Sequence, residues 1–271
     1  MSEVAERRLV RSWPKLLLRF PTGNVSCPGC LNNIACSLLC EAITELGIEG
    51  RTVGVAGIGC HAMSTTLVQV DWVSGAHGRA CDMATAVKRV SRGKLIVLTW
   101  QGDGDALAIG TEGTIQAAVR GESITVIMIN NGVFGTTGGQ LAPTTLLGQK
   151  TSTTPQGRDP KAHGYPFHGP ECMAALEGVA YAARGALNTP ANCLRSKEYI
   201  KRALKKQIDD IGFSFVEVLS ACPPDWRLSP QECLERIANE VIPAFPLGEF
   251  KNVDRLDSHP GRAESRRDRG K

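Results

Sequence analysis

The sequence contains no apolar run approaching the roughly 18 residues that cross a bilayer, no internal repeat, and no basic face in its body. The first absence removes a membrane span, and the second removes solenoids and propellers. The third follows from where the charge lies. The chain is +4 overall, with +3 in residues 1–20 and +3 in residues 251–271, so the body between them carries −2. Such a body offers no electrostatic footprint for nucleic acid. The two ends read as solvated arms or contacts to another subunit. The opening "LVRSWPKLLLRF" is basic and partly apolar, but Pro14 interrupts it and no small-residue cleavage site follows. It is not read as a signal peptide.

What is present is ordinary globular composition, 42% hydrophobic and 21% charged, with 29 glycines and ten cysteines among 271 residues. Ten cysteines in a long, core-rich chain without a secretory leader point to a reduced, cytoplasmic setting, with some thiols as metal ligands. The organisation expected is a basic arm (1–20), one domain (21–250) and a basic tail (251–271) that is disordered or bound by a partner. Within the domain, "RTVGVAGIG", "KLIVLTW", "SITVIMIN" and "FSFVEVLS" read as strands, with a further strand near 179–184. "LNNIACSLLCEAITELG", "RACDMATAVKRV", "ALAIGTEGTIQAAVR" and stretches near 171–177 and 196–210 read as helices. Strands without polar alternation are covered on both faces, so the class is α/β, three layers around a largely parallel sheet. A Gly/Thr/Pro-rich loop runs from 130 to about 170. A loop of that length inside a compact domain is usually functional.

Two strand ends carry chemistry. "TWQGDGDALAIG" places Asp103 among glycines behind the strand "KLIVLTW". Asn131, in "INNGVFGTTGGQLAPTT", lies 28 residues beyond it, the length of one strand–helix–strand unit. Consecutive parallel strands bring both to one sheet edge. A carboxylate, an amide oxygen, a backbone carbonyl and phosphate oxygens make an octahedral oxygen shell for Mg²⁺. Bare glycine backbone and a helix start favour a diphosphate. Two ordinary turns are the plain alternative.

Cys27 and Cys30 form a CxxC in a loop before a helix, while Cys60 and Cys222 end strands, the latter before proline. Structural zinc, an iron–sulfur cluster and a redox dithiol all suit these four. Cys36, Cys40, Cys81, Cys172 and Cys233 fall on expected helices and read as core residues.

GDG followed by NN at this spacing resembles the diphosphate-binding motif of thiamine diphosphate enzymes. The resemblance implies that Asp103, the Asn131 side chain and the Val133 carbonyl hold Mg²⁺. It implies that Gly102, Gly104, Asp105, Thr136 and Thr137 line the diphosphate, with Gly59, Cys60, His61 and Gly135 in the same cofactor site. Together with "CPGC", "GIGC", "HGRA", "GQKTSTTPQGRD" and "FSFVEVLSACPPDW", these motifs resemble the β subunit of 2-oxoacid:ferredoxin oxidoreductases from about Val25 to Lys251. "TWQGDGD", "GGQLAPTTLLGQKT" and "FPLGEF" are most similar to the branched-chain (2-ketoisovalerate) branch. Leu31, His61 and Thr136 depart from the family, where a glycine, a small residue and a methionine are frequent.

The resemblance implies a thiamine diphosphate-binding fold and a [4Fe–4S] cluster on Cys27, Cys30, Cys60 and Cys222. The implied reaction is oxidative decarboxylation of a 2-oxoacid to an acyl-CoA, with electrons leaving singly to ferredoxin. 2-Oxoglutarate, pyruvate and aryl-glyoxylates are the alternative substrates; a non-oxidative thiamine diphosphate lyase or synthase and a zinc-stapled structural subunit are the alternative classes. His77 and Arg79 would lie near the thiazolium and the substrate carboxylate, as proton relay and carboxylate clamp. The plain alternative is a helix-capping His and a surface Arg. His61 either faces the cofactor or packs. His163 and His168 are expected to face solvent or a partner, and Glu112 to be structural. No second thiamine diphosphate domain is legible, so the pyrimidine-side glutamate is expected from a partner α subunit, with γ/δ-type subunits in the assembly.

Overall fold

The computed structural model describes residues 14–18 and 26–256. The rest of both charged ends, including the beginning of the resemblance at Val25, lies outside the described residues. Of the N-terminal arm, Leu16 and Leu17 are buried, and Leu17 bridges to Val68.

Nine strands are present among the described residues: β1 (Thr52–Ala56), β2 (Asp71–Ser74), β3 (Ile96–Gly102), β4 (Thr125–Asn130), β5 (Val133–Phe134), β6 (Gln140–Leu141), β7 (Val179–Ala186), β8 (Phe213–Leu219) and β9 (Gly248–Asn252). Seven form one sheet in the order β2-β1-β3-β4-β8-β7-β9. All pair in parallel except β9, which runs antiparallel to β7 on the edge. The helices used below are α1 (Asn32–Glu45), α2 (Cys60–Met63), α3 (Ala80–Val90), α4 (Thr111–Val119), α5 (Pro160–His163), α6 (Gly169–Ala174), α7 (Pro190–Ile208), α8 (Pro223–Trp226) and α9 (Pro230–Arg236).

Alternation along the central strands divides the core in two. Ile96, Leu98 and Trp100 of β3 and Ile127 and Ile129 of β4 pack with α1 and α7 on one face. Val97, Val126 and Met128 pack with residues of α3, α4 and α6 on the other. The apolar strands therefore sit between two helical layers, as runs without polar alternation require.

Four local differences from the sequence reading have physical reasons. β2 ("DWVS") is a half-exposed edge strand without an apolar run to announce it. β9 includes Lys251 and Asn252, so ordered structure crosses the boundary placed at 251. α7 begins at Pro190 because Thr189 caps it by accepting from Asn192 N–H and Pro190 suits the first turn. The single helix expected from 106 is broken: Gly110 N–H reaches back to Asp105 C=O at 2.9 Å, a π-type turn, before α4 starts.

The long loop after β4 holds the β5–β6 hairpin and α5. Its organiser is Arg158, 5% exposed, whose guanidinium donates only to main-chain carbonyls in the described structure. Thr145 C=O (2.6 Å), Tyr165 C=O (2.7 Å), Gly164 C=O (2.9 Å) and Pro143 C=O (3.0 Å) are the nearest.

Candidate functional site

The strand order reverses around β1 and β3: β2 lies beyond one side of β1 and the later strands beyond β3. Ligands of open parallel sheets bind outside the carboxyl ends at such a point. A cavity of about 110 Å³ opens there. Its walls come from residues 58–61 after β1, His77 after β2, residues 102–105 at the end of β3, and Asn131 with residues 133–137 after β4. Gly59, Cys60, His61, His77, Gly102, Asp103, Gly104, Asp105, Asn131, Val133, Gly135, Thr136 and Thr137 thus meet at one place. Gly104 lets the Phe134 ring close over the β3 end, since a Cβ there would fall 2.2 Å from that ring. Gly78 has φ +76°, and a Cβ there would meet the backbone of Ile109 at 2.6 Å.

Asp103 is buried and forms no ion pair among the described residues. Burial pushes its carboxyl up to about 7, against the hydrogen bond from Thr144. A buried carboxyl without a cationic partner fits a divalent cation. Thr144 Oγ1 contacts both Asp103 Oδ2 and, at 2.8 Å, Asn130 Oδ1. Asn130 also accepts from Gly132 N–H (2.9 Å) and donates to Glu217 Oε1 (2.6 Å). Glu217 in turn receives Arg184 Nε at 2.6 Å, and Arg184 grips Glu171 with both terminal nitrogens. The two asparagines of "NN" therefore part: Asn130 points into the protein, while Asn131 lines the cavity and accepts from Val133 N–H at 3.2 Å.

The second aspartate has a different office. Asp105 Oδ1 accepts from Ile58 N–H (3.0 Å) and Gly78 N–H (2.9 Å), and Oδ2 from Gln101 Nε2 (2.6 Å). Its oxygens serve the loops after β1 and β2, so at the cavity wall it ties neighbouring loops together. His77 Nε2 lies 3.4 Å from Asp105 Oδ1, and its ring stands edge-on to Phe134 at 6.2 Å. His61 is buried beside Gly59 and Gly102, and burial lowers its pKa to about 4. It is neutral at physiological pH.

Arg79 is not brought to the cavity. It precedes α3 and its guanidinium sits, half exposed, by Asp82 (3.4 Å) and Glu112 (3.5 Å). His168 is 3.5 Å from Glu171 and lies against Phe245, while His163 Nδ1 accepts from Asp159 N–H.

Cys27, Cys30, Cys60 and Cys222 line one cavity of about 290 Å³ with Pro223, Pro224 and Met63. Cys60 Sγ is 2.9 Å from Thr136 Oγ1, and Cys222 Sγ donates to Asp225 Oδ2 at 3.1 Å. A Cβ on Gly135 would lie 3.4 Å from the Cys60 sulfur and 3.5 Å from that of Cys222. Burial raises the Cys222 and Cys30 thiols, and neighbouring thiols push the same way. Among the described residues no three His, Cys, Asp or Glu side chains are gathered tightly enough for a single metal ion. Four thiols ringing a cavity suit a multi-iron cluster better than one zinc ion. Cys36, Cys40, Cys81 and Cys233 are buried in the core. This cavity and the first share Asn32, Cys60, Asn131 and Thr136.

Sequence reasoning missed Thr144, Asn130, Glu217, Arg184 and Gln101. A glutamate within "FSFVEVLS" and an arginine within "AYAARGA" were the available signals, because charges inside fully buried strands need partners.

Residues 57–218 match the thiamine pyrophosphate enzyme, C-terminal TPP-binding domain. Ketoisovalerate oxidoreductase subunit VorA of Methanothermobacter marburgensis is 41% identical over 86% of this chain and 48% of its own length. The chain thus spans about half the length of that relative. 2-Oxoglutarate synthase subunit KorB of Archaeoglobus fulgidus is 36% identical over 78% of this chain and 74% of its own. A 2-oxoacid:ferredoxin oxidoreductase subunit beta of Sulfolobus sp is 34% identical over 90% and 87%. A solved structure of 2-oxoglutarate:ferredoxin oxidoreductase from Magnetococcus marinus, with 2-oxoglutarate, coenzyme A and succinyl-CoA bound, superposes with a TM-score of 0.72. It is 26% identical and covers 94% of this chain and 88% of its own. Parallel sheet, paired strand-end motifs and these relatives agree: the chain belongs to the thiamine diphosphate-binding subunits of the 2-oxoacid:ferredoxin oxidoreductase family.

Proposed function

We propose that this chain is the cofactor-holding subunit of an enzyme that decarboxylates a 2-oxoacid oxidatively to an acyl-CoA, and that it passes electrons singly to ferredoxin. The observation that carries the reading is the shared wall. Cys60, Asn131 and Thr136 border both the Asp103 cavity and the four-cysteine cavity, so the two centres would be neighbours. A non-oxidative thiamine diphosphate enzyme has no use for that adjacency.

Asp103, the Asn131 side chain and the Val133 carbonyl would hold Mg²⁺, with Gly102, Gly104, Thr136 and Thr137 around the diphosphate. Cys27, Cys30, Cys60 and Cys222 would hold a [4Fe–4S] cluster. When bound, thiamine diphosphate supplies the carbon nucleophile and electron sink for decarboxylation, and the cluster supplies one-electron transfer. The chain's own residues bind and orient. Phe134 covers the β3 end and limits water there. His77, steadied beside Asp105, can hold or relay a proton at Nε2. Neutral His61 packs the floor without adding charge near a cationic ring. A partner α subunit would supply the pyrimidine side, further subunits would complete the assembly, and coenzyme A would accept the acyl group.

The substrate class favoured is branched-chain 2-oxoacids, on the relation to the ketoisovalerate subunit. The test is anaerobic purification with the partner subunits, followed by iron, sulfide and thiamine diphosphate analysis. A panel of 2-ketoisovalerate, 2-oxoglutarate, pyruvate and aryl-glyoxylates with viologen as acceptor then reads specificity. Brown protein with four irons per cofactor and preference for 2-ketoisovalerate is the expected result. Zinc without iron, or decarboxylation by the lone chain, overturns it.

A further inference from the structure

The metal ligand expected at Asp103 does not stand alone. Thr144, 1% exposed, lies three residues beyond β6 in the loop after β4 and touches its carboxylate. One hydroxyl carries one proton, yet Thr144 Oγ1 faces two acceptors, Asp103 Oδ2 and Asn130 Oδ1. Asn130 does not depend on that proton, because Gly132 N–H already serves its Oδ1 at 2.9 Å. The orientation of its amide is fixed too. Glu217 accepts from Nδ2 at 2.6 Å, and the ion pair with Arg184 keeps Glu217 in place inside the sheet. Both Arg184 and Glu217 are fully buried.

We infer that Thr144 is the positioning residue that aims Asp103 at the metal, and that Asn130, whose Oδ1 is already served by Gly132 N–H, leaves the Thr144 proton free for the carboxylate. The inference rests on the Mg²⁺ reading proposed above. When Asp103 ligates a cation, its outer oxygen needs a donor to fix the carboxylate plane, and charge-assisted bonds are the stronger ones. Thr144 supplies that donor, and its proton goes to the carboxylate while Asn130 keeps Gly132.

Mn²⁺ is the probe, titrated into the co-purified complex with thiamine diphosphate present and followed by the EPR signal of the free ion. Thr144→Val and Thr144→Ala should weaken Mn²⁺ binding about 10- to 100-fold, the usual effect of removing a group that orients a ligand. Thr144→Ser should restore affinity close to the natural chain. Iron content should stay unchanged in all three. At saturating Mn²⁺, thiamine diphosphate affinity of Thr144→Ala should return to that of the natural chain, a recovery that general damage to the cavity would not give. Unchanged Mn²⁺ affinity in both Val and Ala variants, while Asp103→Ala loses it, overturns the role of Thr144 alone. Unchanged affinity in Asp103→Ala overturns the metal reading and this inference with it. Should Thr144→Val fail to fold, Thr144→Ala, which leaves room for a water, decides.

Discussion

His77 Nε2 stands 3.4 Å from Asp105 Oδ1, and every other partner of that carboxylate is a donor. Ile58 N–H and Gly78 N–H come from two different loops. Gln101 is locked as a donor because its own Oε1 receives Thr99 Oγ1 at 2.8 Å. An asparagine at 105 would therefore turn an NH₂ group toward a donor whichever way it lies. Asp105→Asn should cost about 1–3 kcal/mol, the penalty of an unmet buried polar group. It should lower the melting temperature and loosen thiamine diphosphate while leaving iron content unchanged. A variant with native melting and cofactor affinity would show that the three loops are tied elsewhere.

Asp103 gives a pH dependence with a defined sign. Burial lifts its pKa from 3.8 to about 7, so between those values the folded chain keeps a proton that the unfolded chain has lost. Stability of the metal-free chain from this group falls as pH rises through that window and levels above it. Cation binding needs the carboxylate and releases the proton below about 7. The melting-temperature gain from Mg²⁺ with thiamine diphosphate should be larger at about pH 8 than at about pH 6. An equal gain at both, with Asp103→Asn behaving identically, would remove Asp103 from the metal site.

Cofactor and cluster should separate genetically. Asp103→Ala is expected to lose thiamine diphosphate and keep iron. Cys60→Ser and Cys222→Ser are expected to lose iron and keep thiamine diphosphate, whereas Cys233→Ser, in the core, should keep both. Iron loss in Asp103→Ala with cofactor retained would reverse the two assignments.

Arg184→Met should be among the most destabilising single changes. It leaves Glu217 charged, fully buried and without its cation, a loss of about 3–5 kcal/mol. The pair Arg184→Met with Glu217→Gln should recover part of that loss, read by thermal melting. No recovery in the double variant would mean that Glu171, the other partner of Arg184, carries the effect.

The sequence displayed the parts of the fold that physics makes local. Apolar strands β3, β4 and β8 ended where turn residues said they would, and those ends placed Asp103 and Asn131 at one edge. The four-cysteine cavity needed only that Cys60 and Cys222 follow parallel strands whose carboxyl ends share one sheet edge, though β3 and β4 lie between them, and that CxxC precede α1. What stayed hidden depends on long-range partners. Thr144 looks like any threonine in "APTT" until Asn130 and Asp103 close on it. Arg79 reads as a clamp beside His77 in "HGRA", yet it immediately precedes α3 and its side chain sits by Asp82 and Glu112. Nothing in residue spacing encodes that direction.

Arg158 holds the loop after β4 through main-chain carbonyls, and this gives the loop an asymmetric tolerance to mutation. Carbonyls are common to all residue types, so the anchor point at the exposed Tyr165 does not depend on its side chain, whereas Gly164, at φ +67°, and the buried, hydrogen-bonded Thr145 carry constraints of their own. The anchor itself has no substitute. Lysine offers three donors from a single atom, against five in a planar fork, and could not reach both sides of the loop at once. The loop that brings Thr144 to Asp103 thereby hangs on one arginine that contributes nothing to the cavity lining itself.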